Sequence, residues 1–340
     1  AAADGAPFRD LILVGIGGSA LGPLLVADAL ADQAAPGALR LHVLDNTDPA
    51  GIRRVLARLP SLAHALVLVV SKSGSTVETR NGMLEVAAAC ARQGLAFAAQ
   101  AIAITVPGSG LAQLAERDGW RAVVPIWEWV GGRFSVTAAV GLLPMALLGL
   151  DWRGLLAGAA AMDAHARAAA PRQDLAAMLA WLWHQQGGGR GDRAMVVLPY
   201  RDGLALLARY LQQLVMESLG QRLDRRGREV WQGLTVYGNK GSTDQHAYVQ
   251  QLRDGRHDFF AAFVRVLSDG PALFGQDIEV EPGVSAGECL DGFYQGTRAA
   301  LAERGRASAT LTLARLDAPT LGALIALFER AVGLYAELVE

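Results

Sequence analysis

With 340 residues, 52% apolar side chains and 39 glycines, the chain has the make-up of a folded α/β protein long enough for two domains, which argues against a disordered segment or a disulfide-stapled scaffold. A formal charge of −2 with no basic tail or stripe argues against nucleic-acid binding, so any anionic ligand must be held by a local site rather than by a global field. Cys90 and Cys289 stand in no metal or redox spacing and read as small buried hydrophobes in a reduced, cytoplasmic protein. The apolar run 136–150 is too short to span a membrane, and no signal peptide is visible. The chain opens straight into a strand without an initiator Met, which hints at a missing N-terminal segment.

Apolar runs alternate with helix-like Ala/Leu segments through the first half. Residues 11–14 read as a strand and 21–31 as its helix. The pairs 41–44 with 51–59, 65–70 with 77–92 and 101–105 with 111–118 repeat the pattern, and 122–126 is a further strand. This spacing predicts right-handed crossovers and a parallel sheet covered on both faces. Residues 135–186 read as mostly helical, and Gly187-Gly188-Gly189-Arg190-Gly191-Asp192 as a flexible boundary. A second alternation follows, with strand 194–198, helix 204–219, strands 234–237, 259–266 and 309–313, and a last helix at 321–338. The expected organisation is α/β, with one domain over 1–150, a helical connection over 151–190 and a second domain over 191–340.

The segment Gly15-Ile16-Gly17-Gly18-Ser19-Ala20-Leu21-Gly22 joins the first strand to its helix. Its glycines allow close backbone approach to a ligand, and the helix N-terminus offers N–H groups and the positive dipole end. Gly15, Gly17 and Ala20 also satisfy a loose dinucleotide pattern, with Asp45 as the ribose-binding acid, so a nicotinamide-dependent oxidoreductase is a rival reading. The loop Ser71-Lys72-Ser73-Gly74-Ser75-Thr76, extended by Thr79 one turn into the next helix, points to a phosphorylated small molecule instead. Of the 31 basic residues only Lys72 and Lys240 are lysine, the other 29 being arginine, and a compact charge among hydroxyls and backbone donors suits a phosphate. Both loops belong on the carboxyl edge of the sheet, where ligands sit.

In Glu128-Trp129-Val130-Gly131-Gly132-Arg133-Phe134-Ser135 the paired glycines permit a tight approach and aim a permanently charged guanidinium into a cleft, where it can stabilise an oxyanion. Gln213 and Glu217 stand four apart on a helix face otherwise made apolar by Tyr210 and Leu214. A carboxylate in such a setting can serve as a general base, although on spacing alone an ordinary helix-end glutamate is the better reading. Finally, Tyr237-Gly238-Asn239-Lys240-Gly241-Ser242-Thr243-Asp244-Gln245-His246 places His246 in the first turn of a helix capped by Thr243 or Asp244. It is the one histidine inside a dense polar motif, and its neutral pKa range suits proton transfer to a sugar oxygen. His42, His64, His165, His184 and His257 read as structural or surface residues.

Taken together, GIGGSALGP, SKSGSTVET, EWVGGRFSV, QQLVMESLG and GNKGSTDQHAYVQQL, in this order, resemble the phosphoglucose isomerase family and cover most of residues 10–255. The resemblance implies two flavodoxin-like sugar-isomerase (SIS) domains of three α/β/α layers with parallel sheets, a homodimer, and cofactor-free, metal-free interconversion of glucose 6-phosphate and fructose 6-phosphate in glycolysis and gluconeogenesis. It implies that Ser71, Ser73, Thr76 and Thr79 hold the phosphate with Lys72 nearby, and that Gly18 and Ser19 line the sugar. It further implies that Arg133 stabilises an enediolate, Gln213 positions the substrate, and Glu217 moves a proton between C1 and C2. His246 then opens the ring from across the subunit interface.

The family's C-terminal Q-x-G-V-E-x-x-K signature is not present. The nearest text, Glu281-Pro282-Gly283-Val284-Ser285-Ala286-Gly287-Glu288, reads as a decoy. A chain cut at both ends, with the true motif just beyond Glu340, is the simplest expectation. A divergent, non-catalytic phosphosugar-binding protein is the alternative.

Overall fold

The computed structural model describes residues 2, 4–268, 270 and 278–339. The chain divides into two compact units, Ala1–Trp152 and Arg153–Glu340. In the first unit the parallel strands β1 (Asp10–Val14), β2 (Arg40–Leu44), β3 (Ala65–Val70), β4 (Ala101–Thr105) and β5 (Ala122–Pro125) lie in the order β2-β1-β3-β4-β5. Helices α1 (Leu21–Ala29), α2 (Pro49–Ala57), α3 (Val77–Arg92) and α4 (Gly110–Arg117) make the crossovers, and α5 (Ala139–Leu147) follows β5. β1 and β3 are buried along their whole length, as strands covered on both faces must be. The one charge in them, Asp10, is tolerated because its carboxylate accepts from Arg40 at 3.0 Å and pairs with His42 at 2.9 Å across the β1–β2 register. Ile12, Val14, Val67 and Val69 pack against Met83, Val86 and Cys90 of α3. Asp48 caps α2 ahead of Pro49, and Ser109 caps α4, so both helices start where the sequence supplies a capping oxygen.

This strand order fixes where a ligand can sit. The chain leaves β1 towards β2 on one side and β3 towards β4 on the other, so the carboxyl ends of β1 and β3 flank the crevice at the point of reversal. In the dinucleotide-binding order the third strand lies outside the second. Here it pairs with the first, and Asp45 follows an edge strand, so the nicotinamide reading fails on topology.

The second unit opens with α6 (Trp152–Ala168) and α7 (Leu175–Gln186), which begins at the cap Asp174. Next come β6 (Ala194–Tyr200), α8 (Leu207–Leu211), the short hairpin β7 (Gln221–Leu223) and β8 (Glu229–Gln232), β9 (Val236–Tyr237), α9 (Val249–Asp254) and β10 (Phe259–Val266). A second hairpin, β11 (Glu279–Glu281) and β12 (Val284–Ser285), leads to α10 (Ala286–Ala302), β13 (Ser308–Leu313) and α11 (Ala318–Leu338). Four of these strands make a parallel sheet in the order β13-β10-β6-β9. Phe263 and Tyr294 meet edge to face at 5.5 Å in its core. Residues 153–190 belong to this unit. A Cβ on Gly158 would meet the Pro319 oxygen at 1.8 Å, and one on Gly322 the Leu155 oxygen at 2.0 Å, so α6 and α11 touch backbone to backbone. Trp183 of α7 lies 6.3 Å from Phe328 and 6.1 Å from Tyr335, both on α11.

Several local expectations give way. The single helix expected over 204–219 is a 3-10 turn at Asp202–Leu204, the short α8, and a π-helix at Gln212–Glu217. Both hairpins escape sequence reading because their strands are only two to four residues long, too short for a readable alternation. Cys90 is buried, and burial pushes its thiol up to about 11, but Cys289 is only half-buried. The decoy stretch at 281–288 is a helix start: the Ser285 hydroxyl accepts from the Glu288 N–H at 3.2 Å, and the Glu288 carboxylate accepts from the Ser285 N–H at 2.7 Å. Among the described residues, no helix is long and apolar enough to cross a membrane, and no group of three or more His, Cys, Asp or Glu is placed to hold a metal ion.

Candidate active site

In the first unit the candidate loops stand at the carboxyl ends of β1, β3 and β5. After β1 the chain enters a 3-10 turn at Gly17–Ser19, with Gly17 at φ +58°. Gly18 packs on Gly132 of the turn after β5: a Cβ there would meet the Gly132 carbonyl oxygen at 2.2 Å. The Ser135 hydroxyl donates to the Gly132 oxygen at 2.7 Å and lies 3.3 Å from the Gly18 oxygen, closing the same contact from behind. Arg133 is half-buried on the 3-10 turn Gly132–Phe134, between those two anchors. Ser19 is half-buried beside them.

The loop after β3 is organised by its own hydroxyls. Buried Ser71 accepts from the Gly74 N–H at 3.1 Å and shares a hydrogen bond with the Thr76 hydroxyl at 3.1 Å. Gly74, at φ +73°, passes so close to α4 that a Cβ would meet the Leu111 nitrogen at 2.6 Å, so both the conformation and the space require glycine. The Ser73 and Ser75 side chains are exposed and 2.8 Å apart. Thr76 precedes α3, a helix of 16 residues whose N-terminus offers N–H groups and a favourable dipole for an anion. Thr79, one turn in, is buried with no hydrogen-bond partner for its hydroxyl. The Lys72 ammonium donates to the Glu128 main-chain oxygen at 2.7 Å.

The second unit carries the other candidates. Gln213 is half-buried and Glu217 exposed, both on the π-helix. The i→i+5 bonding of such a segment keeps residues four apart on one side, and π turns recur at functional positions. Gln212, which precedes them, donates its amide to the Val236 oxygen at 3.2 Å and ties the segment to β9. His246 is exposed at the end, not the start, of a 3-10 turn, Thr243–His246, and neither Thr243 nor Asp244 caps it. Asp244 is buried and accepts from the Asn239 N–H at 3.0 Å, the Asn239 amide at 3.1 Å and the Tyr248 hydroxyl at 2.6 Å. Burial and this aspartate push the Tyr248 phenol well up. Gln245 donates to the Thr297 hydroxyl at 2.6 Å, and Lys240 pairs with Asp202 at 2.9 Å. His246 is thus presented by a loop that Asp244 and Gln245 fasten from within.

Two organising residues are not legible in the sequence. Ser135 touches Gly18 across 117 positions, so no local pattern announces it. Asp244 looks like a cap from its place before a helical turn, yet its burial makes it the loop's internal acceptor.

A family model for phosphoglucose isomerase matches residues 2–271. A protein of Geobacter sp. strain M21 named glucose-6-phosphate isomerase is 57% identical over 343 residues, covering 100% of this chain and 63% of its own length. The crystal structure of a hypothetical protein from Thermus thermophilus superposes with a TM-score of 0.86 at 33% identity, over 98% of this chain and 79% of that one. That of a glucose-6-phosphate isomerase from Chlamydia trachomatis gives 0.86 at 28% identity, over 97% and 65%. The chain therefore spans under two thirds of the length of the curated relative it matches end to end. With the family model matched over most of its length, this chain belongs to the phosphoglucose isomerase family.

Proposed function

We propose that the chain carries residues of an aldose–ketose isomerase that interconverts glucose 6-phosphate and fructose 6-phosphate. The phosphate is held by Ser71, Ser73 and Thr76 at the α3 N-terminus, with Lys72 in the same loop and Thr79 beneath it. Gly18 and Ser19 line the sugar, and Gln213 positions it. His246 opens the ring and comes from a second copy in a homodimer, in the cytoplasm. The Glu217 carboxylate removes the C2 proton of the open aldose. The C–H electrons form the C1=C2 bond, and the carbonyl pair moves onto O1 as an enediolate. Arg133 compensates that charge without donating its own proton. The O2 proton passes to O1, the electron pair left on O2 forms the C2 carbonyl, and the C1=C2 pair takes the proton back from Glu217 at C1, which yields the ketose.

The observation that supports this most is the meeting of the glycine turn after β1 with the arginine turn after β5, next to a hydroxyl loop after β3 on the same sheet edge. Three loops brought to one edge with hydroxyl and backbone donors, a lysine and an arginine suit a phosphorylated, oxyanion-forming substrate. The test is Glu217→Gln in the full protein, assayed with fructose 6-phosphate. Turnover is expected to fall by about 10²- to 10⁴-fold, the usual worth of a general base, with sugar-phosphate binding retained. Wild-type turnover in the variant would remove Glu217 from that role. A wild-type protein that binds the sugar phosphate without converting it would make the site a binding module.

A further inference from the structure

Resting on the isomerase reading, we infer that Lys72 is a positioning residue that acts through Arg133, and not a ligand of the substrate phosphate. Its ammonium reaches away from its own loop and donates one of its three N–H groups to the Glu128 main-chain oxygen at 2.7 Å. That carbonyl lies in the loop that leads from β5 into the arginine turn, five residues before Arg133. The other end of the strut is equally fixed. The Lys72 main-chain oxygen accepts from the Val106 N–H and from the Thr105 hydroxyl, each at 3.3 Å, and the neighbouring Ser71 N–H donates to the Ile104 oxygen at 3.1 Å. The lysine thus spans from a backbone pinned to the end of β4 to the loop that follows β5. A charged donor on a carbonyl is stronger than a neutral pair, which suits a tether in a partly exposed place.

The arginine turn is consequently held at three points. Lys72 holds the approach at Glu128, the Gly18–Gly132 contact holds the centre, and the Ser135 hydroxyl holds the exit. On either side of Glu128, Trp127 and Trp129 stack with ring planes 4° apart at 5.5 Å although both are exposed. They flank the residue whose carbonyl Lys72 holds, so the pair reports on the tether. The chemistry also favours this division of labour. A phosphate needs several donors and is served by exposed hydroxyls and the α3 N-terminus. An enediolate has one developing charge, and a displacement of about 1 Å in the group that meets it costs about a hundredfold in rate.

The test is Lys72→Met, which keeps the apolar stem and removes the donor, made in the full protein alone and with Arg133→Ala. A strut predicts that kcat for fructose 6-phosphate falls about ten- to a hundredfold while KM stays within about twofold, because an interaction that matters only in the transition state is lost. It also predicts that Lys72→Met adds nothing further once Arg133 is gone, whereas independent contributions would multiply. Lys72→Gln, which can still donate one hydrogen bond, should recover part of kcat. A phosphate ligand would instead raise KM with kcat kept and multiply with Arg133→Ala, and that result overturns the inference. The tether is also read without turnover: the exciton-type near- and far-ultraviolet dichroism of the Trp127–Trp129 pair, isolated by subtracting Trp129→Phe, should weaken in Lys72→Met. An unchanged Trp signal overturns the inference even if the wild-type protein proves inactive. An inactive wild-type protein with a weakened signal would sink the isomerase reading and leave the tether standing.

Discussion

Glu329 offers a quantitative test of the packing beneath the candidate base. It lies on α11, and the Tyr210 hydroxyl, one turn before the π-helix that carries Gln213 and Glu217, approaches its carboxylate at 3.5 Å. Burial raises its pKa from 4.5 to about 7, against a smaller lowering by Tyr210. A displacement of about 2.5 in pKa is worth about 3 kcal/mol, and about 2 kcal/mol after allowing for the partial exposure of the residue. The sign follows from proton uptake. Below pH 4.5 the group is neutral in both states. Between 4.5 and 7 the unfolded chain releases a proton that the folded chain keeps, so stability falls as pH rises through the folded pKa, and the loss is complete above it. Glu329→Gln removes the ionisation and leaves an amide oxygen for Tyr210. The variant should match the wild type near pH 4.5 and exceed it by about 2 kcal/mol at pH 8. Urea unfolding at the two pH values, followed by a probe in the second unit, measures the difference. An equal shift at both pH values, or a variant less stable than wild type at pH 8, would refute the argument that an ionised Glu329 is what the fold opposes.

Gly18→Ala must displace backbone, because its Cβ would lie 2.2 Å from the Gly132 oxygen. We expect about 1–3 kcal/mol of destabilisation and about a hundredfold loss of kcat/KM as the arginine turn moves, checked by melting and by fructose 6-phosphate kinetics. An alanine variant with wild-type turnover would show that this contact positions nothing. Asp244→Ala leaves three donors from Asn239 and Tyr248 without their acceptor and should cost about 2–4 kcal/mol, measured by urea unfolding. Tyr248→Phe, which removes one of the three, should cost about 1 kcal/mol.

How far these arrangements can be read from the chain depends on how local their causes are. β3 and α3 are predicted to the residue because an unbroken apolar run, a hydroxyl loop and a helix follow one another with no competing signal. The hydroxyl loop is likewise legible, since the hydrogen bonds of its hydroxyls run among residues 71–76. The π-helix is not. Its register comes from tertiary anchors, such as the Gln212 bond to Val236, while its composition is that of an ordinary helix. The partner of Lys72 is hidden for the same reason: the charge is written in the sequence, but the group it serves is a main-chain oxygen 56 positions away. A backbone carbonyl has no identity in a sequence, so a side chain that serves one is indistinguishable there from a side chain that serves a ligand. The distinction lies in geometry, and it decides whether a cation in a hydroxyl loop neutralises the substrate or holds the group that does.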